Sequence, residues 1–202
     1  MRSIICIQHT QSVHHTNGMV GSWTDWDITN LGIQQANRIG ENLKNKFSQT
    51  PFVMYSSDLL RAKHTAEIVG AYLGVSPILV AELRERNLGK CIGKSVSWMR
   101  EHMEMQEHTV DDRMFSDAES RRDEWNRLLP FYEEKIKHST DNIIIVSHGD
   151  LLGVFQSMWL GLTVESMNNG ELFGMAGGVS ILMENDDGKH VIKSFSDMSF
   201  MH

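Results

Sequence analysis

The chain has 202 residues, 41% of them hydrophobic and 22% charged, which suits one globular domain over 1–202 with a substantial core. A net charge of -7 leaves no basic stripe to displace counterions, so nucleic acid is not an expected partner, whereas a small anionic substrate answers to the local field of a pocket. No apolar run is long enough for a signal peptide or a membrane span, and Cys6 and Cys91 are too few and scattered to suggest a bridged scaffold; a cytoplasmic protein with no membrane partner is expected.

Ile4-Ile5-Cys6-Ile7 reads as a strand buried on both faces, followed by the polar run Gln8-His9-Thr10-Gln11-Ser12. Residues 10–30 form a glycine-containing loop with Trp23 and Trp26, of the kind that lines a pocket. Thr29 reads as a helix N-cap, with Leu31, Ala36, Ile39 and Leu43 at helical spacing behind it as far as Phe47. After Pro51, Phe52–Tyr55 is a second strand, and Ser56-Ser57-Asp58 reads as the start of a helix over Leu59–Leu73 closed by Gly74. Pro77–Val80 is a short strand candidate, and 82–98 a charged, glycine-punctuated loop. Residues 99–116 hold four methionines without a clean period.

From Asp117 to Lys137 helical spacing returns, placing Trp125, Leu128, Leu129, Tyr132 and Ile136 on one face, with Pro130 as a kink point. Asn142–Val146 repeats the plan of the first strand and is followed by Ser147-His148-Gly149-Asp150. A helix from about Leu151 to Leu160 comes next, then strands at 179–183 and 191–195 with Asp187-Gly188 between them as a hairpin turn. Strands alternating with helices predict a three-layer α/β/α sandwich, with a mostly parallel central sheet and a C-terminal hairpin.

In open α/β sheets ligands gather at the carboxyl ends of the strands. Two strands that each deliver a histidine there, His9 and His148, can present two imidazoles to one ligand. A neutral imidazole is a good nucleophile toward phosphorus, and a second, protonated one can hold the oxygens. Arg61, early in its helix, would add guanidinium donors to an anion site if it faces inward rather than to solvent. Glu85 could protonate a leaving oxygen, although by itself it reads better as a solvated charge among Glu82, Arg84 and Arg86. His14-His15 beside His9 invites a zinc reading. Adjacent histidines in a loop are expected to point apart, however, and no His-Glu-x-x-His or paired-cysteine motif is present, so no metal is expected.

The ordered blocks resemble those of the histidine phosphatase, or phosphoglycerate mutase-like, superfamily over nearly the whole chain. Gln8-His9-Thr10-Gln11-Ser12 is similar to its Arg-His-Gly-Glu/Gln-Thr, and Asp25 through Ala36 to its Asp-x-x-Leu-Thr-x-x-Gly-x-x-Gln-Ala. Ser56 through Glu67 resembles Ser-Ser-Asp-Leu-x-Arg-Ala-x-x-Thr-Ala-Glu, and Leu83-Arg84-Glu85 with Gly89 and Gly93 the glycine loop. Val146-Ser147-His148-Gly149 matches the second histidine block.

The resemblance implies a metal-independent phosphatase without a cofactor, acting on a small phosphorylated metabolite. His9 would be the nucleophile, Glu85 the acid and base, and His148 a catalytic partner, with Gln8, His15, Arg61 and Gly149 in the phosphate site. Three positions depart from the family. Gln8 replaces its arginine, Thr10 its glycine, and His15 the asparagine six residues beyond the nucleophile. Losing one charge-assisted donor is worth about 3 kcal/mol in the transition state, so reduced or redirected activity is expected unless an imidazolium at His15 supplies the charge. A phosphoglycerate mutase, suggested by Glu85-Arg86 with Gly89, and a catalytically weak anion-binding protein are the alternatives. Oligomeric state is open.

Overall fold

The computed structural model describes residues 2–202. Its central strand β1, Arg2–Gln8, alternates between two cores: Ile4 and Cys6 enter one, Ile5 and Ile7 the other, and none of the four is exposed. Burying an isoleucine is worth about 1.5–3 kcal/mol, so this doubly covered strand anchors the fold from both sides. The remaining strands are β2 (Phe52–Ser57), β3 (Ile78–Val80), β4 (Asn142–Ser147), β5 (Val179–Glu184) and β6 (His190–Asp197). They form one sheet in the order β3-β2-β4-β1-β5-β6. The first four of these run parallel to one another, β5 is antiparallel to β1, and β6 is antiparallel to β5, as the terminal hairpin turn predicts.

The helices are α1 (His14–Asn17), α2 (Asn30–Lys46), α3 (Leu60–Leu73), α4 (Val96–His102), α5 (Arg121–Phe131) and α6 (Gly149–Trp159). One core packs Ile39 and Leu43 of α2 and Ala62, Ala66 and Val69 of α3 against Ile5, Ile7, Ile144 and Val146. The other packs Leu128 and Phe131 of α5 and Leu151, Val154 and Phe155 of α6 against Ile4, Cys6, Ile143 and Ile145. This is the three-layer sandwich that the alternation of strands and helices predicts. A third, smaller core of Val20, Cys91, Phe115 and Ala118 lies within the loop segments, with Trp98 and Met99 of α4 against it. No helix among the described residues is long and apolar enough to cross a membrane.

Thr29 caps α2 by accepting the Gly32 N–H, and Gly74 ends α3 in the left-handed region at φ 70°. Other boundaries differ from the sequence reading. Ser56 and Ser57 complete β2, and α3 begins only at Leu60. Asp58 does not cap it, because its carboxylate is taken by Arg84 at 2.6 and 2.7 Å. The Leu60 N–H instead donates to Asp25 Oδ1 at 2.9 Å, so the cap comes from the long loop. Ser120 opens α5 with a reciprocal capping box to Asp123, later than Asp117. Just after Pro130 the helix widens into a π-turn over Tyr132–Ile136. Leu128, Tyr132 and Ile136 are buried, whereas Leu129, one position round the helix from Leu128, is exposed and lies outside the buried face. Helix α6 starts at Gly149 rather than Leu151, and the unpatterned 82–116 stretch contains α4.

Candidate active site

Strands β1 and β4 lie side by side and parallel, with Gln8 opposite Ser147. That register puts the next residue of each, His9 and His148, at one edge of the sheet. Their rings meet edge to face with centroids 5.1 Å apart, and both are buried. The His9 N–H continues the ladder to the Ser147 carbonyl at 2.9 Å.

The His9 ring is held in one tautomer. Nδ1 lies 2.8 Å from its neighbour's carbonyl, Thr10 O, an acceptor that requires a proton on Nδ1 and leaves the lone pair on Nε2. Arg61 Nε donates to that Nε2 at 3.1 Å. The remaining Arg61 donors reach the carbonyls of Thr24 at 2.9 Å and Ser22 at 2.7 Å, so the loop carrying Trp23 holds the guanidinium in place. Arg61 is only 1% exposed, which rules out the solvent-facing alternative. Burial first and then the Arg61 charge push the His9 pKa well below its ordinary value, so its imidazole is neutral at pH 7.

His148 Nε2 pairs with Ser57 Oγ at 2.9 Å, while its buried Nδ1 has no partner among the described residues. Burial, Arg61 and His9 lower its pKa as well. The expectation of a protonated second imidazole therefore fails for the ligand-free site, where Arg61 holds the positive charge. Burial lowers the Arg61 pKa only to about 10.

Glu85 sits half-buried between α6 and the glycine loop. Its Oε1 accepts N–H bonds from Arg86 at 3.0 Å and Leu151 at 3.3 Å. Burial, then the charge of Asp150, raise its pKa to about 7. It is thus a carboxyl poised to give and take a proton at neutral pH rather than a solvated charge.

The three departures have distinct fates. Thr10 is fully buried, and its hydroxyl lies 3.3 Å from Thr65 Oγ1 of α3, so it packs on the helix. Gln8 is fastened by its backbone to Gly177 and Gly178, each at 3.1 Å. Its side-chain amide lies over Gly149, where an added Cβ would come within 3.2 Å of Nε2. Glycine there lets Gln8 stand at the N-terminus of α6. His15 lies on α1 with its ring stacked 5.4 Å from that of His9, accepting the Ser12 N–H at Nδ1. Partial desolvation and then Arg61 lower its pKa, so the ligand-free site does not contain the imidazolium expected to replace the arginine.

His14 is brought into the same cluster, with ring centroids 5.7 Å from His9 and 4.0 Å from His15. The expectation that adjacent histidines point apart is overturned. That geometry belongs to extended chain, whereas one turn of helix swings both rings toward β1. The sequence reading also missed Ser57, Ser22, Asp25 and Asp150. Ser57 was hidden by its reading as a helix start. Ser22 and Asp25 act from within the loop that its tryptophans single out. Asp150 directly follows the His148-Gly149 pair, a signal present in the sequence but unused.

A glucosyl-3-phosphoglycerate phosphatase of Mycolicibacterium vanbaalenii is 28% identical over 183 residues, covering 82% of this chain and 77% of its own. A 2,3-bisphosphoglycerate-dependent phosphoglycerate mutase of Bartonella tribocorum is also 28% identical, over 90% of this chain and 91% of its own. Among solved structures, Bacillus stearothermophilus YhfR superimposes with a TM-score of 0.84 over 100% of both chains at 20% identity, a likeness of fold. The family model of the histidine phosphatase superfamily (branch 1) matches residues 4–197, running from the strand before His9 to the end of the terminal hairpin, and the chain belongs to that superfamily.

Proposed function

We propose that the protein hydrolyses phosphomonoesters of small metabolites through a phosphohistidine at His9. The observation that carries this reading is the locked His9 ring, with Nδ1–H on Thr10 O and a neutral Nε2 directed at Arg61. Nε2 attacks phosphorus and the bond from phosphorus to the ester oxygen breaks. The Glu85 carboxyl gives its proton to that oxygen. The ring becomes positive when phosphorylated, and the Thr10 carbonyl stabilises the Nδ1–H it then needs. Glu85, now a carboxylate, takes a proton from water as the water oxygen attacks phosphorus. The N–P bond breaks and neutral His9 returns.

Arg61, His148 and the backbone at Gly149, where α6 begins, serve the phosphoryl oxygens. Gln8 and His15 flank them as neutral donors, so the site carries less positive charge than the family pattern provides. No step needs a metal ion.

The mutase reading draws on the Bartonella relative and on Arg86. Arg86 is 5% exposed and is engaged by Glu107 at 2.8 Å and Asp150 at 3.3 Å. A guanidinium held by two carboxylates is poorly placed to take a substrate carboxylate, which favours hydrolysis. Rapid quench with phosphorus-labelled phosphomonoesters tests the proposal. Label should appear on His9 and be released to water without added bisphosphoglycerate. A bisphosphoglycerate requirement would move the mutase ahead.

A further inference from the structure

One ligand atom from each of His9, His14 and His15 lies within 4.8 Å of the other two. Two imidazole nitrogens on one tetrahedral zinc ion, each about 2.1 Å from it, are separated by about 3.4 Å. Closing the cluster therefore asks each ring to move by up to about an ångström, within the reach of side-chain rotation. Three histidines with a fourth position open is a donor set for a borderline dication such as zinc, nickel or copper, and a poor one for magnesium or calcium, which take oxygen. We propose that His9, His14 and His15 form a transition-metal site that inhibits the enzyme by occupying the nucleophilic nitrogen.

Two further features of the cluster support it. The Nδ1–H of His9 is oriented by a backbone carbonyl, the outer contact that sets a metal-binding imidazole's tautomer. His15 is exposed and His14 half-buried, so an ion has a path from solvent. Two contacts oppose binding. Arg61 Nε gives up its bond to His9 Nε2, and its charge makes an anion, hydroxide or phosphate, the preferred fourth ligand. At His15, Nδ1 accepts the Ser12 N–H, so ligation through Nε2 moves the ring proton to Nδ1 and releases that bond. His14 Nδ1 contacts Ser12 Oγ. These costs predict a site that is weaker than a dedicated zinc centre and reversible with a chelator.

Binding is independent of the phosphatase reading; the inhibition rests on it. The test titrates the full chain with Co2+, whose visible spectrum reports three nitrogens in a tetrahedral-type site, and repeats the titration calorimetrically with Zn2+. One ion per chain is expected. His14→Gln should weaken binding by roughly tenfold or more, as should Gly21→Ala. The added Cβ in Gly21→Ala would stand 2.8 Å from His14 Cδ2, displacing the ring without removing it. His14→Gln should keep the basal turnover of an aryl phosphate and lose its sensitivity to Zn2+. No Co2+ spectrum in the unmutated protein, or equal affinity in a folded His14→Gln, would overturn the site. If no phosphomonoester is turned over, the phosphatase reading fails while the Co2+ titration still decides the metal site.

Discussion

Arg61 Nε points its hydrogen at His9 Nε2 across 3.1 Å, so in the ligand-free site the arginine covers the lone pair proposed to attack phosphorus. In the proposed reaction an incoming phosphoryl group would take over the arginine donors and uncover the nitrogen. The same contact adds to burial in keeping His9 neutral, because a cation beside it disfavours a second.

Replacing Arg61 should therefore do two things at once. Arg61→Lys retains a charge but loses the Nε donor and the fork to Ser22 and Thr24, and should lower kcat by about 10²–10³. In Arg61→Ala the His9 pKa should rise, read by NMR titration of the imidazole. An unmoved His9 titration would remove the arginine from its account.

The Glu85 pKa of about 7 fixes the direction of a pH profile. The acid form is present below that value and lost above it, so kcat/KM for an alkyl phosphate should fall as pH rises past about 7. His9, its pKa pushed well below the ordinary imidazole value by burial and then by Arg61, adds no limb near neutrality. Glu85→Gln should flatten the alkaline fall and cost about 10²–10⁴ on alkyl phosphates, but far less on aryl phosphates with good leaving groups. Equal losses on both would deny Glu85 the proton transfer.

Asp150 sets where that fall occurs. Its carboxylate raises the Glu85 pKa while pairing with Arg86 at 3.3 Å and Arg121 at 3.1 Å. Asp150→Asn removes the negative charge and leaves both guanidinium groups less compensated. Both changes lower the Glu85 pKa, so the alkaline limb should move to lower pH while its shape is kept. A limb that stays in place would separate Asp150 from the acid.

Gln8→Arg restores a guanidinium at the strand tip beside Gly149. With about 3 kcal/mol available from a charged donor, vanadate and phosphate should bind up to about a hundredfold tighter, read by competitive inhibition of aryl phosphate turnover. No gain would mean that the pocket is shaped for another ligand, and the binding-protein reading would move ahead.

Stability has its own probe at Gly32. A Cβ there would run into the Gln11 carbonyl oxygen, and that oxygen also accepts the Thr29 N–H at 2.9 Å. Gly32→Ala should destabilise by about 1–3 kcal/mol, a Tm loss of several degrees for a chain of this size, despite alanine's better helix propensity. A stabilised variant would show that the loop after His9 yields easily.

Much of the protein was legible along the chain because it depends on local pattern. The paired buried strands, the Thr29 cap, the Gly74 stop and the terminal hairpin all follow from periodicity and backbone preference within a few residues. Placing His9 beside His148 needed only two strands of the same design, since parallel neighbours deliver their tips to one edge. The ionic state of the site was decided in three dimensions. Glu85 is a poised acid because of its burial and then the charge of Asp150, and burial followed by the Arg61 charge lowers the pKa of His148 and His15. The clustering of His14 with His15, the exposure of Leu129 beside the buried Leu128, and Asp25 capping α3 across the loop likewise depend on packing. Pattern sets which faces are buried, but a pKa or a shared ligand site depends on distances between residues far apart in sequence, and only the folded arrangement sets those.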